Sequence, residues 1–148
     1  MRPGRIPQVL LALVLLNVAG CRPAQDPVRA TLDRMVAAAH DRNAAGVLEN
    51  VAADFQAADG STRADDEALL HRLFAAYAVL DVRLEDVRIE RSENGARVRM
   101  RAVMSGQPQR IGGLSGLLPS SSSYDFDLRL AREGNAWKVA WASWTPVS

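Results

Sequence analysis

Residues 82–104 read Val-Arg-Leu-Glu-Asp-Val-Arg-Ile-Glu-Arg-Ser-Glu-Asn-Gly-Ala-Arg-Val-Arg-Met-Arg-Ala-Val-Met, and this stretch decides the fold. Apolar and charged side chains alternate with a period of two, the pattern of a strand with one face buried. Val82 and Leu84 keep one phase, and Val87 and Ile89 keep the other. The slip at Glu85-Asp86 predicts a bulge or bend. Glu93-Asn94-Gly95 has the chemistry of a hairpin turn. Val98, Met100, Ala102 and Met104 then alternate with Arg97, Arg99 and Arg101. Two more segments repeat the pattern. Tyr124, Phe126, Leu128 and Leu130 alternate with Asp125, Asp127 and Arg129, and after a turn at Glu133-Gly134-Asn135 come Trp137, Val139 and Trp141.

Upstream the period is helical. Val28, Leu32, Met35, Val36 and Ala39 share one face, with Asp26 as N-cap and Pro27 in the first turn. Asn43 is placed to cap a second, short helix reaching Phe55, with Val47, Leu48 and Val51 facing inward. Ala57-Ala58-Asp59-Gly60 stops it. Thr62 and Asp65 have capping-box spacing, and Leu69, Leu70, Leu73, Phe74 and Tyr77 form the stripe of a third helix running to about Val79. Three helices followed by about four hairpin-linked strands predict an α+β domain with an antiparallel sheet.

This order resembles the cone-shaped superfamily of nuclear transport factor 2, ketosteroid isomerase and scytalone dehydratase. The likeness rests on the opening helix, on Asn43 to Phe55 (NAAGVLENVAADF), and on Gly134-Asn135-Ala136-Trp137-Lys138-Val139, which is similar to the superfamily's closing hairpin. It covers about residues 27–145. It implies helices packed on a curved sheet around a conical, often apolar pocket. It implies little about function, because enzymes, carriers and scaffolds share the fold.

The first 27 residues are of another kind. Arg2 and Arg5 precede an apolar run, Val9 to Val18, of about ten residues, where a membrane-spanning helix needs roughly 20. The layout is that of an export signal. Val18-Ala19-Gly20-Cys21 resembles the lipobox of bacterial lipoproteins, in which the cysteine receives lipid and becomes the first residue after cleavage. Several acyl chains give the stable anchoring that one chain does not. The alternative is an ordinary cleaved signal that leaves Cys21 as a stray thiol. The expected division is a signal peptide at 1–20, a lipidated cysteine and tether at 21–27, and one domain at 28–148. The expected place is the cell envelope, facing the periplasm or exterior. The outer membrane is favoured if the cell is Gram-negative, since Arg22 replaces the aspartate that marks inner-membrane retention in enteric lipoproteins.

Charge narrows the partners. Without Arg2 and Arg5 the chain carries 16 basic and 17 acidic side chains, a net charge of −1, which argues against nucleic acid. Cys21 is the lone cysteine, so no internal disulfide forms. His40 and His71 lie far apart without metal-ligand spacing, and no P-loop, GxGxxG or Ser-His-Asp motif is present, so neither metal nor cofactor is expected.

An isomerase would need a carboxylate base beside an apolar wall and a neutral donor to an oxyanion. The candidates are Asp54, His71, Tyr77, Tyr124 and the tryptophans. Asp54 more simply ends a helix in solvent, and His71 is exposed between Leu70 and Arg72. No catalytic set is assigned. The pocket lining expected from the resemblance is Phe74, Tyr77, Phe126, Trp137 and Trp141. Arg97, Arg99 and Arg101 face Asp125 and Asp127 if their strands pair, giving either a solvated salt-bridge face or an anion or partner surface. Ser105 to Ser123 reads as a long Gly/Ser segment that lids the cone, meets lipid or a partner, or simply connects. The expected function is a membrane-anchored binding or assembly module, its partner an envelope protein or an apolar small molecule, with homodimerisation open. A small isomerase- or dehydratase-like enzyme and an apolar carrier are the alternatives. An enzyme would show several convergent polar groups in a roomy pocket. A carrier would show a large apolar cavity, and a scaffold would fill its cone with Trp137, Trp141 and Phe74.

Overall fold

A computed structural model describes residues 24–109 and 119–148. The order is α1 (Pro27–His40), α2 (Ala44–Leu48), β1 (Val51–Ala57), α3 (Arg63–Ala76), β2 (Tyr77–Arg91), β3 (Gly95–Pro108), β4 (Ser121–Glu133) and β5 (Ala136–Pro146). Local signals start each helix. The Asp26 carboxylate accepts from Val28 N–H at 2.8 Å and also takes the Arg91 guanidinium at 2.5 Å, so α1 is pinned to the end of β2. Asn43 Oδ1 accepts from Gly46 N–H at 3.0 Å. Thr62 and Asp65 form the expected reciprocal capping box.

The five strands form one sheet in the order β1-β5-β4-β3-β2, antiparallel throughout except for β1 against β5, which is parallel. The α+β cone is therefore as expected, with one strand more than the alternation suggested. The extra strand is β1, which occupies the second half of the segment read as a helix to Phe55. That helix ends at Leu48. The Asn50 side chain donates to Gly46 O at 3.0 Å, filling one of the helix's orphan carbonyls, while Asn50 O accepts from Val139 N–H at 2.9 Å. From there the backbone finds its partners in β5, and tertiary pairing overrides a spacing that also fits a helix.

A second correction concerns Tyr77. α3 stops at Ala76, and β2 begins at Tyr77 because β3 runs on through Ser105-Gly106-Gln107-Pro108 to pair with it. Gly106 is needed there: a Cβ would stand 2.6 Å from Val79 O and 2.8 Å from the Tyr77 ring. The Gly/Ser connector is correspondingly shorter than expected, since Ser105–Pro108 and Ser121–Ser123 are strand. Residues 110–118 of that segment lie outside the described residues, as does Cys21.

Two irregularities bend the sheet. Asp86 has φ +52° where the β2–β3 register shifts between Glu85 and Arg88, at the predicted slip. In β5, Val139 pairs with Leu130 and Trp141 with Arg129, which leaves Ala140 bulged out of the β4–β5 ladder. The concave face packs on the helices. Val28, Leu32, Val98, Leu128, Leu130 and Val139 are almost fully buried in that core. The convex face carries the charged ladder. Arg97 grips Asp127 at 2.9 and 2.5 Å, Arg101 grips Asp125 at 2.8 and 3.1 Å, and Arg99 reaches back to Glu90 on β2. These exposed pairs fix the charge pattern of the face and contribute little to stability.

The candidate functional site is an apolar cavity in the cone

A cavity of about 480 Å³ lies between the helices and the concave face, within the size range of small-molecule pockets. Its walls are almost wholly hydrocarbon, thioether and aromatic. α1 presents Met35 and Val36 on the stripe that its 3.6-residue period aims at the sheet. β3 presents Met100, Ala102 and Met104, the inward half of the Arg/apolar alternation. Phe126 is flanked by Tyr124 and Trp144, with ring centroids 6.4 and 6.1 Å away, forming a row of three aromatics. α3 closes the remaining side, but loosely: of its 14 residues only Phe74 is buried, and Leu69 lines the cavity while 46% exposed. The cavity therefore reaches solvent along α3.

Three lining residues break the apolar surface, Trp144 with its indole N–H among them. Tyr124 brings a hydroxyl, and Asp66, in the first turn of α3, brings the one carboxyl. Burial is the main cause that pushes the Asp66 carboxyl above the usual carboxylate range, and the charges of Asp59 and Asp65 push the same way.

The five residues expected to line the pocket divide. Phe74 and Phe126 line it. Tyr77 does not: as the first residue of β2 it lies in a smaller hollow of about 110 Å³ beside Gly106, where its hydroxyl donates to Pro119 O at 2.8 Å. Trp137 is on the concave side but beyond the cavity, packed on the core with Arg91 and Arg132 over its ring at 5.5 and 5.8 Å. Trp141 is on the other face altogether, under the Arg129 guanidinium at 4.5 Å. The bulge at Ala140 is the reason. It reverses the inward phase, so that Val139, Ala142 and Trp144 face the cavity and Trp141 does not.

The other candidates do not converge. Asp54 is exposed on β1, where helix-capping is not its role. The His71 side chain is 68% exposed, 3.9 Å from Glu67 one turn earlier. His40 ties α1 to β2 by accepting from Val82 N–H at 3.0 Å. Among the described residues no group of three His, Cys, Asp or Glu side chains is arranged to hold a metal, and no helix is long and apolar enough to cross a membrane. Among the lining residues that the sequence did not assign to a site are Asp66, Met35, Met100 and Met104. Asp66 had a usable signal, since it stands three, four and seven residues before Leu69, Leu70 and Leu73, on their face of the helix.

The fold with this pocket is that of the nuclear transport factor 2-like cone. An NTF2-like superfamily protein of Salmonella enterica superposes with a TM-score of 0.67 at 8% identity, over 82% of this chain and 89% of the other. A type 2 hexachlorocyclohexane dehydrochlorinase, LinA, superposes with 0.62 at 11% identity, over 82% and 87%. Bd1075 of Bdellovibrio bacteriovorus gives 0.66 at 12% identity over 81% of this chain, which spans only 40% of Bd1075. No family profile and no curated protein matches the sequence. The similar structures thus include an enzyme of the same fold, and identities this low speak for fold alone.

Proposed function

We propose that this chain is a lipid-anchored protein of the bacterial cell envelope whose cone holds an apolar small molecule without transforming it. The cavity carries the binding half: about 480 Å³ lined by apolar side chains, interrupted only by Asp66, the Tyr124 hydroxyl and the Trp144 indole N–H. Such a surface favours desolvating a hydrocarbon ligand over holding charge as it develops in a reaction. An assembly module would fill its cone, and Trp137 and Trp141 leave this one unfilled. The lipobox-like Val18-Ala19-Gly20-Cys21 supports the anchor.

A neutral, largely apolar fluorescent probe, the arylamine N-phenyl-1-naphthylamine, tests the binding half. Saturable binding to the wild type should be lost in Ala102→Trp, which puts an indole into the cavity from the middle of β3. Equal binding by both proteins would rule the cavity out. Intact mass and membrane fractionation of wild type and Cys21→Ser test the anchor. Only the wild type should sediment with membranes at the mass of an acylated chain beginning at Cys21. An acid–base enzyme is the second reading, favoured by the raised Asp66 pKa in an apolar site. It would need the Tyr124 hydroxyl as its partner group.

A further inference from the structure

Three aspartates, Asp59, Asp65 and Asp66, stand around the start of α3, and two of them accept hydrogen bonds from neighbours in the chain. Asp59 accepts from the Ser61 N–H at 2.9 Å and the Ser61 hydroxyl at 2.7 Å. Asp65 accepts from the Thr62 N–H and hydroxyl, each at 2.8 Å. Asp66 differs. Among the described residues no side chain or backbone N–H donates to its carboxylate, and no cation stands within ion-pairing distance. It is half-buried and lines the cavity. Its neighbours on the same helix face are Leu69, Leu70 and Leu73, which also line it, and the exposure of Leu69 sets this part of the wall at the mouth. A hydrocarbon ligand entering along α3 would therefore pass a carboxylate with unused acceptor capacity, in surroundings that strengthen any charge-assisted hydrogen bond made there.

On the reading of the cone as an apolar-ligand site, we propose that it selects hydrocarbons ending in a hydrogen-bond donor, a protonated amine above all, and that Asp66 is the acceptor that holds this end at the mouth. An ammonium group would gain the carboxylate as its partner while its chain lies against Met35, Met100 and Phe126. A fatty acid of the same length would bring a second carboxylate to a partly desolvated one. The like charges repel, and neither can donate to the other. An alcohol falls between, donating one neutral-to-charged bond.

The test is displacement of bound N-phenyl-1-naphthylamine from the full-length protein at neutral pH by decylamine, decanol and decanoate, each below its micelle-forming concentration. Decylamine is expected to compete about tenfold or more better than decanoate, since a hydrogen bond to a charged group is worth at least that factor. In Asp66→Asn the amine preference should collapse to within about threefold, while decanol stays near its wild-type value, because only the charge-assisted part is removed. Circular dichroism of the variant checks that the fold is retained. Equal competition by amine and carboxylate in the wild type, or an amine preference that survives Asp66→Asn, overturns the assignment of Asp66 and leaves the apolar cavity standing. Failure of the probe itself to bind overturns the cavity reading along with it.

Discussion

Leu128 and Leu130 offer an internal test of the cavity. They lie two residues apart on β4 and face the same side of the sheet. Both are nearly inaccessible, at 4% and 2% exposure. Leu128 lines the cavity, whereas Leu130 packs below it against the solid part of the core. Truncation to alanine removes the same three carbons from each, a transfer loss of about 2.4 kcal/mol at ~0.8 kcal/mol per methylene. At Leu130 the truncation also opens a new void in close-packed surroundings, which brings the total to about 4 kcal/mol, within the ~3–5 kcal/mol of such substitutions. At Leu128 one side of the leucine already faces empty space, so little new void is created and the total should stay near the transfer loss, about 2.5 kcal/mol. Urea unfolding followed by circular dichroism measures both, and the midpoint is the quantity to compare if the slope is unchanged. For a domain of this size the difference of about 1.5 kcal/mol corresponds to roughly 6 °C in Tm. Equal losses at the two sites, or a larger loss at Leu128, would refute an open cone, because a well-filled cavity makes Leu128 an ordinary core residue.

Three further outcomes follow from particular contacts. Asp66→Asn should stabilise the free protein at neutral pH: the folded pKa is raised, so the native state binds more protons than the unfolded chain above about pH 3.9, and stability falls as pH rises through the folded pKa. Thermal melts from pH 3 to 8 should show the gain of the variant shrinking towards the acid end. Asp26→Ala should cost about 1 kcal/mol through the lost cap. Hydrogen bonding by Arg91 holds the Asp26 carboxyl below its ordinary value, so its contribution is present above about pH 3.9 and is lost as pH falls through the folded pKa. Wild type and variant melts should converge in acid. Gly106→Ala should unfold the β2–β3 end, since the new methyl meets a backbone carbonyl and a ring edge below contact distance, and Tyr77 fluorescence should report it.

Much of the architecture is legible because its signals are local. The capping box at Thr62, the turns at Asn94-Gly95 and Gly134-Asn135, and the phase slip at Glu85-Asp86 all depend on residues within a few positions of one another. β1 is not local. Val51 to Ala57 is a strand only because β5 lies beside it, and nothing nearby in the chain announces that partner. The placement of Trp141 fails for a related reason. Trp137, Val139 and Trp141 alternate faultlessly as text, and the bulge that turns Trp141 outward is set by the register against β4. In sequence Asp66 is one more acid at a helix start, where Asp65 already forms the cap, and only the position of α3 over the cone turns it into a cavity residue.

The parallel pairing of β1 with β5 joins the two ends of the domain in time as well as in space. Val51 stands opposite Val139 and Ala57 opposite Ala142, so the first strand made waits for the last. Contacts this distant in sequence slow folding, because the whole intervening chain must be organised before they can form. During synthesis β1 emerges long before β5, and the wall that holds Phe55 has no seat until the final strand is released. A nascent chain that stalls before Trp137 is therefore an open cone with two unpaired strand edges, on β1 and β4, instead of a smaller stable domain. Such edges recruit other chains. Loss of the last dozen residues should therefore appear in cells as aggregation or proteolysis of the entire protein.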